Sequence, residues 1–148
     1  MPFLLDEFNE MYNSDNYYFY SKHRSKVNKV ASVWLIDLKE EFSLCEDAIK
    51  KRYLQDDFKS DNKRFAYNLK RTSNKLAILG ESNSNAKHYG LIIAKFNNDI
   101  EKRIWHGYPA DYIANQQDKP NDSILKEMIK KKLITPREMN KIKRGLKI

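Results

Sequence analysis

Two hydrophobic periods divide this chain. Over residues 3–12, Phe3, Leu4, Phe8, Met11 and Tyr12 recur at helical spacing, and the polar run Asn13–Asn16 then breaks the pattern. From Val27 onward, apolar residues stand at positions 27, 30, 31, 34, 35, 38 and 42, the stripe of a helix with one buried face. Within it, SVWLIDL also reads as a strand. SLCE, Ser43–Glu46, has the form of a capping box, in which Ser43 accepts the Glu46 backbone N–H and Glu46 reaches back. A second helix is therefore expected to run to about Leu54 and to bury Cys45, Ala48, Ile49 and Tyr53. YYFYSKHRSK, Tyr17–Lys26, interleaves rings and cations. It reads as a surface that stacks bases and holds phosphates, or as an amphipathic element with its rings in the core. The second use is the commoner.

After the polar stretch Gln55–Arg64 the period becomes two. Phe65, Tyr67 and Leu69 alternate with Ala66, Asn68 and Lys70. KLAILGE, KHYGLIIAKF and IEKRIWHGY follow as strands, separated by TSN, SNSN and NND. Beyond DKPNDS, Ile124, Leu125, Met128 and Ile129 stripe a short helix. TPRE then opens the last one, with Thr135 as N-cap, Pro136 in the first turn, Glu138 reaching back and Gly145 as C-terminal cap. Met139 and Ile142 face inward. This pair reads as a packing hairpin or as a DNA-reading helix-turn-helix. The expected fold is a single α+β domain over residues 1–148. N-terminal helices (1–60) pack on a small antiparallel meander of three or four strands (64–108), and a basic helical pair (120–145) follows.

Charge placement sharpens this picture. The net charge is +8, but from Lys119 onward ten Lys/Arg face three acids, so the body is nearly neutral and the tail is basic. Such a tail attracts RNA, DNA, an acidic protein or an anionic surface. Lys130, Lys131, Lys132, Arg137, Lys141 and Arg144 are the candidate nucleic-acid contacts. Cys45 is the single cysteine, so an internal disulfide and a cysteine-based zinc site are excluded. That usage suits a reducing cytoplasm, and Cys45 reads as a core thiol. MPFLLDEFNEMY lacks the positive start of a signal peptide, and no window has the length of a membrane span. The expectation is a cytoplasmic protein with no membrane partner.

The candidate chemistry lies in RIWHGYPADY, Arg103–Tyr112. A three-residue loop at Asn97–Asp99 would set Lys95 against Glu101, Phe96 against Ile100 and Leu91 against Trp105. A two-residue loop would set Lys95 against Lys102. In the first register His106 faces Gly90 and His88 faces Tyr108. The two imidazoles are then diagonal neighbours, about 7–8 Å apart at the backbone, with Tyr108 between them. Three uses follow. His88 and His106 could serve as base and acid in metal-independent RNA cleavage, with Tyr108 beside them and Lys87, Lys102 or Arg103 on the phosphate. His88, His106 and Asp111 could hold a metal. Or the group only closes a strand end. His23 reads as part of a basic surface, and no cofactor motif is present. The leading expectation is a small basic nucleic-acid-binding protein, in the extreme a ribonuclease of toxin type, since many small bacterial ribonuclease toxins share the layout expected above. The competing class is a non-enzymatic, antitoxin-like inhibitor that docks its basic helices on an acidic protein.

Overall fold

Tyr17 and Phe19 are fully buried while Tyr18 and Tyr20 are only partly covered, which is the alternation of a strand with one face in the core. The computed structural model describes residues 3–24, 32–56, 62–82 and 89–148. β1 (Phe8–Glu10) and β2 (Asn16–Tyr18) form an N-terminal hairpin. β3 (Ser32–Trp34) leads into α1 (Leu38–Lys50), followed by β4 (Leu54–Asp56) and β5 (Lys63–Asn68). β6 (Arg71–Thr72) pairs with β7 (Lys75–Leu76) in a two-stranded sheet. Then come β8 (Gly80–Ser82), β9 (Gly90–Leu91), β10 (Ile93–Asp99), β11 (Ile104–Ala110), α2 (Asp122–Lys130) and α3 (Pro136–Lys143). The main sheet has six strands in the order β1-β2-β11-β10-β5-β4, and β3, β8 and β9 form a smaller one. The main sheet is mixed, because β2 runs parallel to β11 while its other pairs are antiparallel.

The expected N-terminal helices on a small meander are therefore wrong. Among the described residues this is a mostly β protein, with one α-helix mid-chain and two short ones near the C-terminus. The helical spacing over residues 3–12 is real, yet Leu4, Leu5, Phe8 and Tyr12 stay exposed and only Met11 is buried. Long-range pairing wins there. Asp15, in the turn of the first hairpin, accepts from Trp105 Nε1 (3.0 Å) and Arg103 Nε (2.7 Å), and the Asn16 N–H donates to Arg103 O (2.8 Å). These bonds seat β2 alongside β11. The stripe from Val27 falls partly outside the described residues. Its described part begins as a strand, as SVWLIDL allowed. The Ser43 capping box does not form, because Asp37 caps the helix earlier by accepting the Glu40 N–H (2.8 Å), leaving Ser43 exposed in mid-helix. The analogy with small toxins rested on the expected layout and goes with it.

α1 packs on the inner face of the sheet. Asn68 Nδ2 donates to Leu44 O (3.0 Å), and Phe42 meets the rings of Tyr17 and Phe19. Cys45 is a buried free thiol, pushed up by burial as expected of a core residue. The C-terminal pair matches its sequence signals. Asn121 caps α2 by accepting the Ile124 N–H (2.9 Å), and Thr135 with Glu138 forms the capping box of α3. Gly145 follows with φ +68°, a left-handed conformation that glycine adopts without strain. Among the described residues, no helix is long and apolar enough to cross a membrane.

Candidate functional site

The β10–β11 register places the candidate site, and it differs from both registers considered above. The turn is the four-residue run Ile100–Arg103, so Asp99 pairs with Ile104. Asp99 O accepts the Arg103 N–H (2.8 Å), Asp99 Oδ1 accepts the Lys102 N–H (3.2 Å), and Arg103 sits at φ +57°. Lys95 consequently faces Tyr108, Phe96 faces Gly107 and Asn97 faces His106. Two tertiary contacts outweigh the expected Lys95–Glu101 and Phe96–Ile100 pairs. The buried Phe96 ring lies over Gly107, where a Cβ would stand 2.3 Å from it. The Lys95 ammonium turns away to Asp118 (3.3 Å) and Gln117 O (2.8 Å). Gly90 pairs with Glu81 and does not face His106. His88 and Lys87 lie outside the described residues, so the expected His88–His106 pair does too. Of the other expected clamps, Arg103 is held by Asp15 and by Asn13 O (3.1 Å). Lys102 is exposed at the turn.

His106 and Tyr108 do share a face. They line a cleft of about 330 Å³ on the outer side of the sheet, with Asn97, Asp111 and Asp118. The second imidazole in this cleft is His23, whose sequence context suggests only a basic surface patch. A 3-10 turn, Ser21–His23, follows β2 and lays the His23 ring on Tyr108, with centroids 5.5 Å apart and planes 22° apart. His23 Nδ1 donates to Ser32 O (3.0 Å). A carbonyl only accepts, so Nδ1 carries the proton and Nε2 is the titrating nitrogen. Arg24 pins the turn by bonding Ile36 O and pairing with the buried Glu41 of α1. Lys22 also lines the cleft, its ammonium 4.8 Å from the centre of the Tyr20 ring, which packs edge-on against His106. The only sequence signal for His23 was its place just past an alternating aromatic run.

Burial and nearby cations keep the imidazoles of the cleft in their neutral forms more readily than in water. Burial first, then Lys22, His23 and Lys63, push His106 down to about 4. Burial lowers His23 as well, with the Ser32 carbonyl pulling the other way and Lys22 reinforcing the fall. Tyr108 is raised well above the ordinary tyrosine range by burial and then by Asp118, so it stays protonated and donates a hydrogen bond to Asp118 Oδ1 (2.9 Å). The cleft's carboxylates have internal partners. Asp118 also pairs with Lys95, while Asp111 accepts from Tyr89 OH (2.5 Å) and from the N–H groups of Ile113 (3.2 Å) and Ala114 (3.0 Å). Asn97 Oδ1, across the strand pair from His106, is buried without a hydrogen-bond partner among the described residues. Among those residues no group of three or more His, Cys, Asp or Glu side chains could hold a metal ion, and His88 of the expected metal set is not among them.

The basic tail is presented at the surface. Lys130, Lys132, Arg137 and Arg144 are exposed and Lys141 is half-buried. Lys131 is tied down, donating to Lys51 O (2.8 Å) and lying 5.0 Å over the Tyr53 ring. Arg137, Lys141 and Arg144 follow helical spacing along one side of α3. No protein-family model, no characterised protein and no solved structure matches this chain.

Proposed function

We propose that this protein binds RNA and cleaves it in the His106 cleft, with His23 taking the part first considered for His88. The observation that carries the reading is the convergence of two imidazoles and Lys22 in one cleft whose acids have internal partners. Two titrating groups in unequal environments are what acid–base cleavage of a phosphodiester needs. His106, neutral at pH 7, takes the proton of a ribose 2′-OH. The 2′-oxygen attacks phosphorus and the bond to the 5′-oxygen breaks. Protonated His23, supported by the Ser32 carbonyl on Nδ1, donates from Nε2 to that leaving oxygen. The products are a 2′,3′-cyclic phosphate and a 5′-hydroxyl. Lys22 faces the phosphate, whose negative charge raises both imidazoles on binding. The exposed cations of α2 and α3 add sequence-independent attraction.

The test is incubation of the purified protein with RNA in the presence of a chelator, followed by analysis of the product ends. Cyclic phosphate ends, lost in His106→Ala and in His23→Ala, are the expected result. Intact RNA with the wild-type protein overturns the cleavage reading. RNA binding whose affinity is insensitive to salt overturns the electrostatic one.

A further inference from the structure

A second cavity, of about 360 Å³, adjoins the cleft and shares His106 with it. Its walls are Phe8 of β1, Tyr18 of β2 and Tyr20 just beyond, with Lys102 and Asp99 from the β10–β11 turn. The rings form a continuous row. Phe8 and Tyr18 lie 5.0 Å apart, Tyr18 and Tyr20 4.8 Å, and Tyr20 and His106 4.8 Å. The row follows from the register: Phe8 pairs with Tyr18, and β2 runs parallel beside β11, so alternate residues of three strands reach one face. Phe8 is 57% exposed on that face. An apolar ring left so open in a small protein calls for a ligand when its neighbours are also aromatic and a candidate site adjoins them.

We propose that this row is a subsite for unpaired bases, which makes single-stranded RNA the substrate class of the cleft. The inference rests on the reading of the adjoining cleft as a phosphodiester site. Aromatic rings stack on any base, and flanking cations hold the backbone. Lys22 over Tyr20 and Lys102 at the opposite wall supply those cations. The nearby acids have local uses. Asp6 accepts the Ser21 N–H (3.3 Å) and interacts with the Tyr18 hydroxyl, and Asp99 caps its turn. Glu10, opposite Asn16 in the β1–β2 register, lies two residues beyond Phe8 on the same strand. A paired base keeps both faces inside the duplex stack, so a duplex cannot use the rings. A strand lying from Phe8 towards Tyr20 would bring its backbone to Lys22 and the imidazoles.

The experiment measures binding of a 2′-O-methyl RNA single strand, which lacks the attacking hydroxyl, so that the result does not depend on cleavage. Tyr18→Ala and Tyr20→Ala are each expected to weaken binding by roughly five- to hundredfold. Tyr18→Phe and Tyr20→Phe should bind as the wild type does. Tyr12→Ala, which removes an exposed ring outside the row, should have no effect. The matching duplex should bind more weakly than the single strand. Equal binding of duplex and single strand, or alanine variants that bind normally, overturns the proposal. So does a protein that takes up no oligonucleotide and instead self-associates through Tyr18. Binding that depends on these rings without any cleavage of ordinary RNA would sink the cleavage reading and leave the subsite standing. Cleavage untouched by the alanine variants does the reverse.

Discussion

The cleft beside His106 and the α2–α3 pair both gather basic side chains, yet they hold them in different ways. In the cleft, Lys22, His23 and His106 share a confined space walled by Asn97, Tyr108, Asp111 and Asp118. Burial there, reinforced by the nearby Lys22, His23 and Lys63, brings His106 down to about 4. On the tail, Lys130, Lys132, Arg137 and Arg144 stand in water, where salt screens them beyond about 8–10 Å. The sequence draws attention to the tail because it is rich in Lys and Arg. The structure draws attention to the cleft because a few groups converge. Net charge thus reports how a polyanion is attracted, while confinement reports where chemistry on it can occur.

The contrast is broken most directly at the imidazoles. His106→Ala and His23→Ala should each lower RNA cleavage by about 10²–10⁴-fold, the range of a lost acid or base, with little change in affinity. Single-turnover rates at saturating protein check this. If affinity falls while the saturated rate holds, the cleft is only a binding surface. The kcat/KM profile should also fall on the acid side as His106 takes its proton near about 4, and on the alkaline side as His23 loses its own.

A second change tests the support beneath the cleft. Asp118→Ala removes a carboxylate partner of the buried Lys95 ammonium and the acceptor of Tyr108. Stability should drop by about 3 kcal/mol, read from denaturant midpoints. A drop typical of an exposed pair, under about 1 kcal/mol, would show that the ammonium is satisfied by its other partners, Gln117 O among them.

His106 also predicts a pH-dependent stability. Its folded value lies below its ordinary 6.5, so the unfolded chain binds the extra proton. The contribution is complete above about 6.5 and is lost as pH falls towards about 4. It amounts to at most about 3 kcal/mol. Glu41 acts in the opposite sense, because burial lifts it to about 7 against the pull of Arg24. Its contribution is complete below about 4.5 and is lost as pH rises through about 7. Chemical denaturation from pH 4 to 8 should therefore diverge in the two variants. His106→Gln should lose the rise with pH, and Glu41→Gln should lose the fall. Parallel wild-type and variant curves would mean that neither group titrates in that window.

The tail is expected to give smaller effects. Replacing Lys130, Lys131 and Lys132 together with Ala should weaken generic RNA binding and flatten its salt dependence. Each lost phosphate contact changes the slope by about 0.7 for a single strand. The saturated cleavage rate should not move. An unchanged slope would leave these lysines as solubilising groups, and Lys131 has the smallest share in prospect because Lys51 O and Tyr53 already hold it. Smallest is Thr135→Ala. Loss of the cap on α3 should lower stability by about 1 kcal/mol without altering RNA affinity. A change in affinity would show that α3 must be held in place for binding.

Legibility in the sequence followed the range of the forces involved. Thr135, Pro136, Glu138 and Gly145 lie within one short helix and its flanks, so the chemistry of α3 was readable residue by residue. The stripe Ile124, Leu125 and Met128 was readable for the same reason. The helical spacing over residues 3–12 misled because it is a local pattern without a partner surface, and Asp15 takes that segment to Trp105 instead. Ser43–Glu46 has every element of a cap, but a helix already capped at Asp37 runs through it.

By itself, the sequence determined the capped C-terminal helices, the burial of Cys45, the position of positive charge and a strand that puts His106 and Tyr108 on one face. Each of these depends on neighbours within a few residues, or on composition. Tertiary structure alone decided the partner of His106. The β10–β11 register is set by Phe96 over Gly107 and by Lys95 reaching Asp118, not by charge pairs across the turn. His23 arrives in the cleft because β2 adds in parallel to β11 and because Arg24 is fastened to Glu41. Those contacts join residues far apart in the chain, and burial strengthens them. No local pattern carries them, because the surroundings that give them their energy exist only once the sheet has closed.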